Sequence, residues 1–280
     1  MIPRQTKLIE KSIFDILDKT VSLHVHSQFE KAINFKNGEI FFSLLISEDA
    51  ASKNSIVLKK TASSLKTFPD FQTDMKINLT TKGIFHHQNC LISFEEATTF
   101  DPLSLRIQSE QPRHLAFCTT FLETHGNFDA LIEPPKKAFK DSLFSGKKKA
   151  SLHSFEQLIG LGTGLSPSGD DFCSGFIGTL SLLRNHRTFT ETTITAALAK
   201  IIQDHYDGTT FMGKVLLENA LLGYLPKSMT VVINALFQQQ TTVRSLSSLL
   251  KNVLAIGHSS GSELLDGLIT GLIYLKEQSK

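Results

Sequence analysis

Leu158-Ile159-Gly160-Leu161-Gly162-Thr163-Gly164-Leu165-Ser166-Pro167-Ser168-Gly169-Asp170-Asp171-Phe172 is the stretch on which the fold of this 280-residue chain turns. Its glycines and its proline deny the chain regular structure up to about Ser168. Phe172, Phe176, Leu180 and Leu183 then recur at helical spacing, so an apolar helix follows a glycine-rich turn. Ser168 stands where an N-cap is expected, and Asp171 stands three residues on, where a capping-box acid belongs. Such a start presents unpaired N–H groups and the positive end of the helix dipole, which together favour an anion. No lysine follows the last glycine, so the chemistry is not that of a P-loop. Asp170 and Asp171 stand there instead and would repel a bare phosphate. They can hold a cation that bridges to phosphate, accept hydrogen bonds from an amide, or only cap the helix.

A second segment tips the balance toward a site. Ser260-Gly261-Ser262-Glu263-Leu264-Leu265-Asp266-Gly267-Leu268-Ile269-Thr270-Gly271-Leu272 aligns without gaps on Ser168 to Leu180. Glu263 meets Asp171, Gly267 meets Gly175, and the apolar stripe Leu264, Leu268, Leu272 and Leu275 meets Phe172, Phe176, Leu180 and Leu183. The alignment predicts two like helices related by a pseudo-twofold. Gly175 and Gly267, one turn inside, would let them approach closely. Two such starts aimed at one cleft would make an anion pocket, with Asn34 or Thr209-Thr210 lining its rim. The alternative is two core helices whose glycines serve packing alone.

Outward from these helices, the chain divides. Up to about residue 110 the pattern is mostly strand: Val21, Leu23 and Val25 alternate with Ser22, His24 and His26, and Asn37-Gly38 is a hairpin signal between two apolar runs. Ser55 to Leu58, Met75 to Leu79, Gly83 to Phe85 and Cys90 to Phe94 continue it, after a short N-terminal helix read from Leu8-Ile9, Ile13 and Ile16-Leu17. From Gln111 the period is helical, with Pro134-Pro135 opening a helix that Gly146 closes. The expected fold is α+β: a β-rich N-terminal half, 1–110, packed on a mostly helical C-terminal half, 111–280, which carries the Gly-rich motifs.

Composition excludes several classes. With 41% hydrophobic and 20% charged residues the chain is globular, not disordered. A net charge of +2 gives no bulk attraction to nucleic acid. No apolar run is long enough for a membrane helix, and the N-terminus lacks a signal-peptide core. Cys90, Cys118 and Cys173 are too scattered for a disulfide framework or zinc knuckle, which fits a cytoplasmic protein. The lysine clusters Lys136-Lys137 and Lys147-Lys148-Lys149 read as a solvated loop face. His24 and His26 share a strand face without a third ligand. His86 and His87 would point to opposite faces of a strand, which disfavours joint metal binding. Asp204, His205 and Asp207, before Thr209-Thr210, read as a helix cap or as acid/base groups.

At Gly162 to Phe172 the sequence resembles a bacterial family associated with the AllH-type subunit of oxamate carbamoyltransferase. The family's hallmark is a glycine turn followed by Thr/Ser-Pro-x-Gly-Asp-Asp-Phe, and Ser166 stands here where Thr is commoner. Gly257-His258-Ser259-Ser260-Gly261 is similar to the family's late element, with Glu263 where Asp is usual. Thr209-Thr210 resembles its Thr-Thr pair, but Met212-Gly213 replaces a small Ser/Thr. Val25-His26-Ser27, Ala32-Ile33-Asn34 and Asn54 to Val57 fit more loosely. The resemblance implies a component of a carbamoyltransferase complex, acting between carbamoyl phosphate and oxamate in purine (allantoin) breakdown, with two other subunits as partners. The Ser-x-Arg-Thr-Arg motif of the aspartate/ornithine-type transcarbamoylases is absent. Asp170 and Asp171 are then the candidate catalytic residues. Gly162, Thr163, Gly164, Ser166, Ser168, Gly169, Asn34, Thr209, Thr210, Ser259, Ser260 and Gly261 are candidate contacts to a small carboxylate or phosphate. No cofactor is expected. Two other readings stand beside this one: a non-catalytic anion-binding or assembly subunit, and a hydrolase holding Mg²⁺ or Mn²⁺ on the two aspartates.

Overall fold

The computed structural model describes residues 3–17, 20–38, 40–59, 64–66, 68, 71–184 and 193–278, which form two compact units, 1–102 and 103–280. The first unit holds β1 (Arg4–Glu10), the short helix α1 (Ile13–Ile16), β2 (Val21–Gln28), β3 (Ala32–Asn37), β4 (Ile40–Leu45), β5 (Ser55–Leu58), β6 (Lys76–Thr80), β7 (Gly83–His86), β8 (Asn89–Ser93) and β9 (Thr98–Phe100). Neighbours run β5-β4-β3-β2-β6-β7-β8-β1-β9, and β5 also pairs with β1, so the sheet closes into a barrel. Closure removes the unpaired edges an open sheet would present. The alternation in β2 works as expected: Leu23 and Val25 fill the interior with Ile33, Phe35, Phe42, Leu44, Ile77 and Ile84, while His24 and His26 are exposed. Asn37 pairs with Ile40, and Gly38 has a φ of 56° at this turn; Glu39 lies outside the described residues.

One expectation fails in this unit. Leu8 and Ile9 belong to β1, not to a helix, and only Ile13–Ile16 is helical. Helical spacing across Leu8 to Leu17 arose from a strand followed by a single turn, a coincidence that short apolar windows permit.

The second unit is helical: α2 (Leu115–His125), α3 (Glu133–Phe144), α4 (Lys148–Glu156), α5 (Ser168–Leu183), α6 (Thr193–Asp204), α7 (Phe211–Leu221), α8 (Lys227–Leu236), α9 (Val243–Leu254) and α10 (Ser260–Gln278). The chain is therefore α+β, strand-built first and helical second. Every residue of α5 is buried, as is α10 from Gly261 to Leu272. A helix buried all round is a central element, and Phe139 of α3 and Phe155 of α4 pack edge-on or tilted against Phe176.

The two central helices touch through their backbones. A Cβ on Gly175 would overlap the Leu264 carbonyl oxygen, and one on Gly267 would overlap that of Phe172. Gly175 is equivalent to Gly267 in the sequence repeat, and Phe172 to Leu264, so the two contacts are the same contact made twice. That reciprocity is what a local twofold requires. Farther along, Gly271 approaches Phe176 and Thr179, so contacts advance together along both helices and the pair runs parallel.

Gly175→Ala is expected to destabilise the chain by about 2–3 kcal/mol in urea melts, because backbone must shift to admit the methyl group. Gly208→Ala meets nothing within 4 Å and should stay within about 0.5 kcal/mol of the parent. Equal stabilities would show that the helix contact tolerates separation.

Candidate functional site

Because α5 and α10 are parallel, their N-termini lie side by side: Ser168 Oγ is 3.4 Å from Ser259 Oγ. Two positive dipole ends meet there, and the first turns carry Asp170, Asp171 and Glu263, the charge sign such ends favour. The capping differs from the sequence expectation. Pro167, not Ser168, occupies the N-cap position, and Ser168 is the first helical residue, donating to Asp129 Oδ2 at 2.9 Å. The φ and ψ that proline supplies set the entry, which leaves the serine hydroxyl for another partner. Fewer backbone donors are free than expected as well. The amides of Gly169, Asp171, Gly261, Ser262 and Glu263 already bond to carbonyls of the preceding turns. Those of Ser168, Asp170 and Ser260 have no such partner among the described residues.

The glycine loop is shaped to hold Asp170. Gly160 (φ 74°) donates to Asp170 Oδ1 at 2.8 Å, and a Cβ on Gly160 would overlap the Gly208 carbonyl. That close approach brings Thr209 against the loop, where its hydroxyl donates to Asp170 Oδ2. Gly213 is needed beside them, since a Cβ there would overlap both Asp170 Oδ2 and Thr209 Oγ1. Thr210 caps α7, accepting from Gly213 at 3.0 Å and donating to the Leu165 carbonyl. The cap before α7 is thus Thr210, while His205 Nε2 lies 2.9 Å from Glu156 Oε1.

Asp171 is 1% exposed. The hydroxyls of Ser260 and Ser166 reach its carboxyl, yet its Oδ2 has no hydrogen-bond partner. Burial pushes this acid up to about 8; the serine hydrogen bonds oppose the rise and the charges of Asp170 and Glu263 add to it. Asp170 is also raised by burial, against the pull of Thr209 and Gly160.

Glu263 mirrors Asp171 and is tied more firmly. Its Oε1 accepts from the Asp129 amide at 3.1 Å and its Oε2 from Lys136 Nζ at 2.8 Å. Burial lifts it to about 7 in spite of Lys136. Ser262, the counterpart of Asp170, accepts from the Asn127 amide at 2.9 Å, and the Asn127 side chain meets His258. Lys136 corrects a second expectation: it is 2% exposed, not a solvated loop residue. Burial alone would lower its ammonium, but Asp266, Glu263 and Glu133 outweigh it and hold the group above its ordinary value. Lys136 also lines a cavity of about 480 Å³ with Phe128, Glu133, Lys140 and Asp266.

The structure thus gathers Gly162, Ser166, Ser168, Gly169, Asp170, Asp171, Thr209, Thr210, Ser259, Ser260 and Gly261 around the paired starts, with Thr163 and Gly164 exposed on the loop. Asn34 belongs to the barrel unit, where it donates to Ser27 and accepts from Ser43. Sequence reading missed Asn127, Asp129, Lys136 and Gly213. Only Lys136 left a signal, since it shares the helical stripe of Phe139 and Leu143. Among the described residues, no group of three or more His, Cys, Asp or Glu is placed to hold a metal ion. Nor is any helix among them long and apolar enough to cross a membrane.

The fold and site define an α+β protein whose helical unit is built on a pseudo-twofold pair of parallel helices with acidic, glycine-tight starts. The family model for the oxamate carbamoyltransferase subunit AllH matches residues 158–272, the span that contains both starts. No curated protein and no solved structure matches the chain.

Stability should report the buried acid. Unfolded, Asp171 titrates near the ordinary 3.8; folded, near 8, so between those values the native state retains a proton that the unfolded chain has lost. Stability contributed by this group therefore falls as pH rises from about 4 to about 8. Asp171→Asn should flatten the Tm-against-pH curve over that window and leave the Glu263 contribution, which has the same sign up to about 7. A variant curve parallel to the parent's would contradict the assignment.

Proposed function

We propose that the chain is a component of an oxamate carbamoyltransferase-like complex of purine (allantoin) catabolism and that the paired helix starts bind its anionic ligand. The family match supports the class of complex. The observation that carries the site is the meeting of two helix N-termini around Asp171, a buried carboxyl with an unpartnered oxygen.

The chemistry fits a neutral acid. Transfer joins the oxamate nitrogen to the carbamoyl carbon and breaks the carbon–oxygen bond to phosphate, which leaves with the bonding pair. A proton leaves the nitrogen, and negative charge builds on the carbamoyl oxygen on the way. An ionised Asp171 would repel that oxygen. Held up to about 8 by burial, it is mostly protonated at neutral pH and presents an O–H donor. The dipoles of both helices and the amides of Ser168, Asp170 and Ser260 add to the same field. Asp170 positions the loop through Gly160 and Thr209. With both of its oxygens so engaged, a cation shared by Asp170 and Asp171 has little to bind. Partner subunits belong to the same proposal, as does a cytoplasmic location.

Turnover of carbamoyl phosphate with oxamate, measured with and without co-expressed partner subunits, tests the reading. Asp171→Ala should lower turnover on the order of 100-fold, the scale of a lost oxyanion donor, while the variant remains folded. Parent-like turnover would remove Asp171 from the chemistry. Absence of turnover with all partners present would favour a ligand-binding or assembly subunit.

A further inference from the structure

A second polar cavity lies wholly within the barrel unit. Strand period puts Ser22 and His24 on the face of β2 opposite the buried Leu23 and Val25. Register carries that face to β6, where Ser22 stands opposite Asn78 and His24 opposite Lys76. On the next strand, β7 ends at His86, and His87 turns the chain with a φ of 54°. That left-handed conformation is unfavourable for a non-glycine residue. Because His87 has left the strand, the two imidazoles do not diverge to opposite faces: their ring centroids are 4.3 Å apart. Ser22, Lys76, Asn78, His86 and His87 line a cavity of about 440 Å³.

All five lining side chains can donate a hydrogen bond, and none is an acid. Ser22 Oγ is buried without a partner. Lys76, Asn78, His86 and His87 likewise make no side-chain hydrogen bond or ion pair among the described residues. A buried hydroxyl left unpaired is unfavourable, and a bound acceptor would remove that cost. We propose that this cavity binds a tetrahedral oxyanion, either free phosphate or the phosphate of a small monoester. Lys76 supplies the fixed charge, Asn78 and Ser22 give neutral donors, and the paired imidazoles give directional ones. A cavity of this volume exceeds one phosphate, which leaves room for an organic part on a monoester.

Imidazole resonances of the full-length chain, assigned with His86→Gln and His87→Gln, would be followed during titration with inorganic phosphate, with glycerol phosphate as the monoester and with acetate. Saturable shifts of both rings are expected with phosphate or the monoester, the tighter of the two identifying the source. Lys76→Met should weaken this binding about tenfold or more, since it removes a charge-assisted contact from an exposed position that the fold does not need. Asp171→Asn should leave the shifts unchanged, which separates this site from the helix starts. No saturable shift, an equal response to acetate, or a Lys76→Met titration identical to the parent's would each overturn the proposal.

Discussion

The approach of α5 and α10 through Gly175 and Gly267 is the constraint on which the rest of the helical unit depends. With no Cβ at either position, each glycine lies against a carbonyl of the other helix, at Leu264 and Phe172. Parallel packing at that separation fixes where the helices begin, and therefore where the loops before them must end. Gly169 and Gly261 repeat the device one layer out, against the carbonyls of Leu158 and Val253. The turns are thus pressed onto the helix starts, and their carbonyls take up the amides of Gly169 and Gly261.

Placing two positive helix ends together carries an electrostatic cost that acidic first turns offset. Burial then works against those same acids, because a carboxylate without water loses its hydration. The two copies resolve the conflict differently. Glu263 is compensated by Lys136 and the Asp129 amide. Asp171 has only serine hydroxyls and shifts farther toward its neutral form, to about 8 against about 7 for Glu263. A pseudo-twofold frame thus holds two raised acids side by side, one paired with a lysine and the other met only by hydroxyls. Unequal environments for paired acids are the usual means by which a protein assigns them different roles.

The sequence made the central helices legible because their information is local. Phe172 to Leu183 shows its period directly, and the gapless match of Ser168 to Leu180 with Ser260 to Leu272 announced the repeat. Glycine at equivalent positions predicted the close contact. What stayed hidden depends on partners distant in the chain. Lys136 reads as a surface lysine until Glu263, far along the chain, is brought to it. Asp129 has no motif of its own and matters only because Ser168 and Glu263 converge on it. Barrel closure was equally invisible, since pairing of β1 with β5 and β8 is a register property that strand alternation does not encode. Ser168 was misread for a local reason: serine is the commoner cap, but Pro167 sets the helical entry first.

Capping alone does not account for Asp171. A serine or threonine at a helix start satisfies backbone donors without bringing a charge inside, and Thr210 and Thr242 do that work elsewhere in this chain. Asp171 instead sits a turn inside the helix, past the cap position, with one oxygen bonded to nothing. An orphaned buried oxygen costs about 1–3 kcal/mol, a sizeable part of the total stability of a domain. Structural demand at that position would be met more cheaply by a small apolar or hydroxyl residue. A carboxyl stands there all the same, lifted toward its neutral form where two helix dipoles converge.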